Sequence, residues 1–194
     1  MTTLDADLLS RLHRRDAETL REVIRDNTRP LYRAARALGF SEPEAEDLAQ
    51  STLVTFLETI QRFEGRSRIR TWLFGILHRK VLERRREQQR ETHHDPIDEV
   101  FESRFDSRGG WTQPPKDLDR LLQSKEIGEA ITSCLDTLPV RQRSTFVLRE
   151  IEQLDTPEIC KIQGVSATYF GVLLHRARIR LRECLESRGW GHRK

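Results

Sequence analysis

Apolar residues return every three or four positions along most of this chain. No stretch alternates with a two-residue period, so the pattern predicts helices and no strands. Leu8, Leu12, Leu20, Val23 and Ile24 mark a first helix over 5–26. Leu31, Ala34, Ala35 and Leu38 mark a second over 28–38, ended by Gly39. Ser41 caps a third helix, with Pro43 and several acids in its opening turn. Its stripe runs through Leu48, Thr52, Leu53, Phe56, Leu57, Ile60 and Phe63 until Gly65. After the basic loop 66–70, Thr71 caps a fourth helix through Trp72, Leu73, Ile76, Leu77 and Val81 into Arg84, Arg85 and Arg86.

The periodicity then stops. Between 91 and 119 eight acids face three basic residues, and Pro96, Gly109, Gly110, Pro114 and Pro115 prevent a long helix, so this stretch reads as an acidic linker. Phe101, Phe105 and Trp111 predict that part of it docks on something. Helical spacing returns at Ile127, Ala130, Ile131, Cys134, Leu135 and Leu138, and Pro139 opens a further helix over 140–151. The expected fold class is all-α: two small helical domains, 5–90 and 120–190, joined by the linker 91–119.

Residues 154–182 carry the clearest local signature, a helix-turn-helix. Asp155 or Thr156 caps a short helix with Pro157 in its first turn, Gly164 supplies the left-handed conformation that ends it, and Ser166 caps a second helix. There Phe170, Leu173, Leu174, Ala177, Leu181 and Leu185 form a core stripe, which leaves Thr168, Val172, His175, Arg176 and Ile179 opposite. A short helix, a glycine turn and a helix with a partly basic free face suit the DNA major groove. The candidate contacts are Ser166, Thr168, Tyr169, Val172, His175, Arg176 and Arg178. Arg176 suits a phosphate or a guanine edge and Val172 a thymine methyl. The competing use of Val172 and Ile179 is packing against a protein partner.

Net charge is a modest +3, but its distribution is uneven. Residues 41–64 hold six acids against Arg62, whereas 66–90 hold nine basic residues against Glu83 and Glu87. Basic side chains track phosphates and aromatic rings stack on unpaired bases. The candidates for holding an opened strand are therefore Arg66, Arg68, Arg70, Trp72, Phe74, His78, Arg79 and Lys80. Trp72 adjoins Leu73 and reads equally as core. There is no glycine-rich phosphate loop, His-Glu-x-x-His or Cys-x-x-Cys, so no catalytic residue, metal or cofactor is expected, the adjacent His93 and His94 included. Cys134, Cys160 and Cys184 lie on apolar stripes and are expected to be buried structural thiols. No run approaches the roughly 20 apolar residues of a membrane span and the first residues lack a signal pattern, which predicts a cytoplasmic protein without membrane insertion.

The order Asp47-Leu-Ala-Gln50, Thr55-Phe-Leu57, Phe63-Glu-Gly65, Arg70-Thr-Trp-Leu73, Leu138-Pro-Val-Arg-Gln142, Phe146-Val-Leu-Arg-Glu150, Glu158-Ile, Gly164-Val-Ser166 and His175-Arg-Ala-Arg178 resembles the extracytoplasmic-function sigma factors of bacterial RNA polymerase. The resemblance covers nearly all of the chain outside the linker. It implies a dissociable initiation subunit, not an enzyme, whose partners are core RNA polymerase and promoter DNA. It further implies that the third helix docks on a coiled coil of the polymerase's largest subunit through Asp47, Gln50, Leu53 and Phe56, and that residues 66–86 capture and melt the minus-ten element. The second domain would read the minus-thirty-five element and sit on the polymerase flap. The linker would run toward the RNA exit path, where its acids mimic nucleic acid. Phe101 to Trp111 with Pro114-Pro115, Glu158-Ile-Cys160 and Gly164 to Thr168 are similar to a subgroup paired with a zinc-finger anti-sigma factor, which implies such a partner. Gly171, Val172 and Leu173 depart from the basic and hydroxyl residues of many relatives, so no base contacts are carried over. The alternative function is an autonomous helix-turn-helix regulator that binds duplex DNA as a dimer.

Overall fold

The structure is a computed structural model that describes residues 6–89 and 125–189, all helix or connecting turn. The first group comprises α1 (Ala6–His13), α2 (Ala17–Ala37), α3 (Glu42–Thr59, prolonged by a 3-10 turn at Ile60–Arg62) and α4 (Ile69–Gln89). The second comprises α5 (Lys125–Leu135), α6 (Val140–Phe146, running on into a π-helical turn at Val147–Ile151), α7 (Thr156–Gln163) and α8 (Ala167–Ser187). The linker, with its aromatic residues and His93 and His94, lies outside the described residues.

Local chemistry explains most of the boundaries. The Glu44 carboxylate accepts the Ser41 N–H at 2.9 Å and its hydroxyl at 2.6 Å, a capping arrangement that holds that carboxyl below its usual range. Gly164, at φ 66°, ends α7 and returns its N–H to the Cys160 carbonyl, and the Ser166 hydroxyl accepts the Tyr169 N–H at 3.1 Å.

Two expected helix starts are corrected. The break expected near residue 27 falls instead at Arg15, which takes φ 57°, and Asp16 caps α2 by accepting the Thr19 N–H at 2.9 Å. Asn27 and Thr28 lie inside α2, their side chains bonded back to the Val23 and Ile24 carbonyls at 2.8 and 2.6 Å. Thr71 does not cap α4, which begins two residues earlier; its hydroxyl is buried and donates to Glu158 of the second group.

In the first group α2 packs on α3 and both pack on α4, around Leu31, Leu48, Phe56, Ile60, Leu73, Phe74 and Leu77. In the second, α6 and α5 pack on α8 around Leu135, Phe146, Leu154, Ile159, Phe170 and Leu181. Each such side chain contributes about 1.5–3 kcal/mol by leaving water. The expectation of three separate thiols is also corrected: Cys134 and Cys184 form a disulfide between α5 and α8, and Cys160 is the free cysteine.

The two groups also pack against each other, α4 on α7 and α2 on the π-helical turn. At that seam Arg143 donates to the Ala37 carbonyl at 2.6 Å, and Arg85 to the Leu38 carbonyl at 2.9 Å. Gly39, at φ 93°, makes this approach possible, since a Cβ there would fall 2.5 Å from an Arg143 guanidinium nitrogen.

Candidate nucleic-acid and polymerase interfaces

Helix α3 presents a polar edge and a buried face. Asp47 and Gln50 are exposed, and the Asp47 carboxylate accepts from Arg84 at 2.6 Å. Leu53 and Phe56 are buried, Phe56 with its ring edge-on to Trp72 at 5.5 Å, so both are core residues and not docking contacts. The apolar residue that does face outward is Val54, 53% exposed. Sequence reasoning missed it, although the signal was present: Val54 is the apolar position of α3 out of phase with the Leu48, Thr52 and Phe56 stripe.

The basic segment is sorted in the same way. Arg66 is exposed and pairs with Glu64 at 2.6 Å; Arg79 is exposed and Lys80 partly so. Trp72 is half-buried, its ring stacked on Phe63 at 4.6 Å, which favours the core reading. Phe74 is 1% exposed beneath the Arg70 guanidinium, 5.4 Å from its ring centre. His78 is 7% exposed and faces Ser144 across the seam, 3.1 Å from Nδ1 to the hydroxyl. Phe74 is therefore a core residue, a correction to the expectation that it stacks on a base, and His78 is covered by the second helical group in this arrangement. Arg68 and Arg70 reach out of the first group onto carboxylates of the second: Arg68 onto Asp155 and Glu158, Arg70 onto Glu152.

On the helix-turn-helix, Ser166, Thr168 and Tyr169 are exposed at the start of α8, and Val172 and Arg176 are half-buried one and two turns on. His175 is 7% exposed, and burial followed by the nearby Arg178 and Arg182 lowers its pKa; Arg178 pairs with Glu150. His175 therefore belongs to the packing of α8, a correction to its place on the DNA-facing side, whereas Arg178 stays part-exposed with Glu150 as its partner. Tyr169, Arg176 and Arg180 line a groove of about 910 Å³ whose far wall is Leu82, Arg85 and Arg86 of α4.

Residues 23–91 match the Sigma-70 region 2 family and residues 128–181 the Sigma-70 region 4 family. The RNA polymerase sigma factor YlaC of Bacillus subtilis is 30% identical over 139 residues, which cover 72% of this chain and 76% of that protein. The ECF RNA polymerase sigma factor SigG of Mycobacterium tuberculosis is 32% identical over 154 residues, 71% of this chain and 41% of that protein. This chain belongs to the extracytoplasmic-function sigma factors. Its fold is also that of the sigma factor RpoE from Bartonella quintana, solved with the anti-sigma factor NepR, at a TM-score of 0.62 and 22% identity over 88% of this chain and 96% of that one. Among the described residues no helix is long and apolar enough to cross a membrane.

Two groups of this sigma factor are far from their ordinary ionisation. Burial pushes the Glu158 carboxyl up, but hydrogen bonds from Arg68, Thr71 and the Asp155 N–H together outweigh it and hold the pKa at about 2. For His78, burial and then Arg141 lower the pKa to about 4, so the ring is neutral at physiological pH. Arg85, Arg86 and Asp136 line the same groove as His78. The sign follows from linkage: the unfolded chain takes up the His78 proton near pH 6.5 and the folded one only near pH 4. Stability is therefore full above about pH 6.5 and falls as the pH drops toward 4. His175 shifts in the same direction, so urea titrations at stepped pH should give a smaller slope for His78→Gln than for the wild type, without abolishing it. Equal slopes would remove His78 as a cause.

Proposed function

We propose that this sigma factor directs core RNA polymerase to specific promoters and helps to open them. The observation that carries the reading is the start of α8, where the exposed Thr168 and Tyr169 follow the Ser166 cap and the half-buried Val172 and Arg176 continue the same side of a helix-turn-helix. In this reading residues 120–190 recognise the minus-thirty-five element, with Val172 against a thymine methyl and Arg176 on a phosphate or guanine. Residues 5–90 bind the polymerase through the outer edge of α3 and hold the minus-ten strand with Arg66, Arg68, Arg70, Arg79 and Lys80, with Trp72 shaping the surface beneath. Residues 91–119 connect the two as an acidic linker. The protein acts in the cytoplasm, where an anti-sigma factor restrains it; the RpoE–NepR pair supports an anti-sigma partner, and the motif resemblance supports one of zinc-finger type.

Adding the purified chain to sigma-free core polymerase, with DNA from upstream of its own gene, should give a discrete run-off transcript. If core that responds to another sigma factor gives none on any promoter tried, the reading fails.

A further inference from the structure

Three carboxylates around the start of α7 gather the arginines of the first helical group. Glu152, its side chain 0% exposed, accepts from Arg33 at 2.9 and 3.1 Å on one oxygen and from Arg70 at 2.5 Å on the other; Arg70 also reaches the Glu152 carbonyl at 3.3 Å. Glu158 accepts Arg68 in a two-oxygen fork at 3.0 and 2.5 Å, together with the Thr71 hydroxyl. Asp155 adds a third contact to Arg68 at 3.1 Å.

A guanidinium forked onto a carboxylate presents the same donors that it would present to a phosphate, and it cannot serve both at once. Arg68 and Arg70 are two of the residues assigned above to the minus-ten strand. On the other side of the seam, the face of α8 carrying Tyr169, Arg176 and Arg180 is turned toward α4 across a groove of about 910 Å³. The same packing therefore engages Arg68 and Arg70 of the first group and the Tyr169 and Arg176 side of α8, while Ser166 and Thr168 stay exposed.

We propose that the free sigma factor is clasped shut by Glu152, Asp155 and Glu158, which stand in for promoter phosphates on Arg68 and Arg70, so that DNA and the second helical group compete for the same guanidinium groups. The proposal rests on the assignment of these arginines to the minus-ten strand. The arginines exchange carboxylate for phosphate, and Glu152 and Glu158 return to water as the two groups separate, so the clasp can yield to DNA once polymerase holds the groups apart. Arg33 pairs with Glu152 and lies outside the residues assigned to DNA, so a change there tests the clasp without removing a DNA contact.

The test uses the full chain without polymerase. Small-angle scattering measures its radius of gyration, and fluorescence anisotropy measures its affinity for a labelled single-stranded oligonucleotide carrying the non-template minus-ten strand of a promoter that the wild-type holoenzyme transcribes. Glu152→Gln with Glu158→Gln should expand the protein and tighten oligonucleotide binding at least tenfold, and glutamine at 158 keeps the capping geometry of α7. Arg33→Ala should move both readings the same way by less, and it decides the matter if the double variant does not fold. A protein that stays compact, or that expands without binding the strand more tightly, overturns the clasp. The assignment of Arg68 and Arg70 to DNA is judged separately in the holoenzyme, where Arg68→Ala with Arg70→Ala should abolish the transcript; an undiminished transcript overturns that assignment and the competition with it.

Discussion

Breaking the Cys134–Cys184 bond, with dithiothreitol or by replacing both residues with Ser, is expected to lower the stability of the second helical group by about 4 kcal/mol. The two cysteines are 50 residues apart, and releasing a loop of that length returns chain entropy of this size to the unfolded state. The bond ties α5 to α8. Helix α5 has only 11 residues, short for a helix that must hold by propensity alone, and its attachment rests on Ile131, Cys134 and Leu135. Urea unfolding of the oxidised and reduced protein measures the difference, and the paired Cys134→Ala and Cys184→Ala change separates the lost bond from the burial of two hydroxyl groups. Stabilities within about 1 kcal/mol of each other would mean that packing alone holds α5. With the expected loss of about 4 kcal/mol, a protein working in a reducing compartment carries this dependence on its redox surroundings into its function.

The sequence could not reveal this pairing. Helical spacing turns Cys134 and Cys184 inward, each on its own helix, but which two inward faces meet is tertiary information, and a disulfide needs Cα atoms within about 7 Å. The turn at Gly164 and the α8 stripe of Phe170, Leu174, Ala177 and Leu181 were legible because a cap, a left-handed glycine and a 3.6-residue period are local signals. Phe74 was misread, and the covering of His78 was missed, for the opposite reason. Helix α4 is covered on one side by α2 and α3 and on another by the second helical group, so its buried arc is wider than a single stripe. The partner of His78, Ser144, is 66 residues away. The carboxylates that engage Arg68 and Arg70 are just as distant in sequence, and charge patterning along one segment could not announce them. Glu158 stood out in the sequence only as part of the Glu158-Ile motif; in the structure it accepts the Asp155 N–H at the start of α7 and forks onto Arg68.

The outer edge of α3 carries the last expectation: Val54→Asp with Gln50→Ala should weaken binding to core polymerase at least 100-fold, about 2.8 kcal/mol. Asp47, Gln50 and Val54 follow one another at steps of three and four and so share one side of the helix. Val54 is the large apolar side chain exposed there, and a partner that covers it removes that apolar surface from water. A carboxylate at the same position would be stripped of water against the partner with nothing to pair it, which adds a penalty to the lost contact. Both substituted positions are solvent-exposed in the free protein, so the far-ultraviolet helical signal and the melting temperature should stay near wild type. Leu53→Asp provides the contrast: it buries a charge beside Phe56 and should unfold the first helical group before any question of binding arises. Co-purification with core polymerase, read alongside the helical signal, separates the two. Full binding by a folded Val54→Asp, Gln50→Ala protein would move the docking surface off α3.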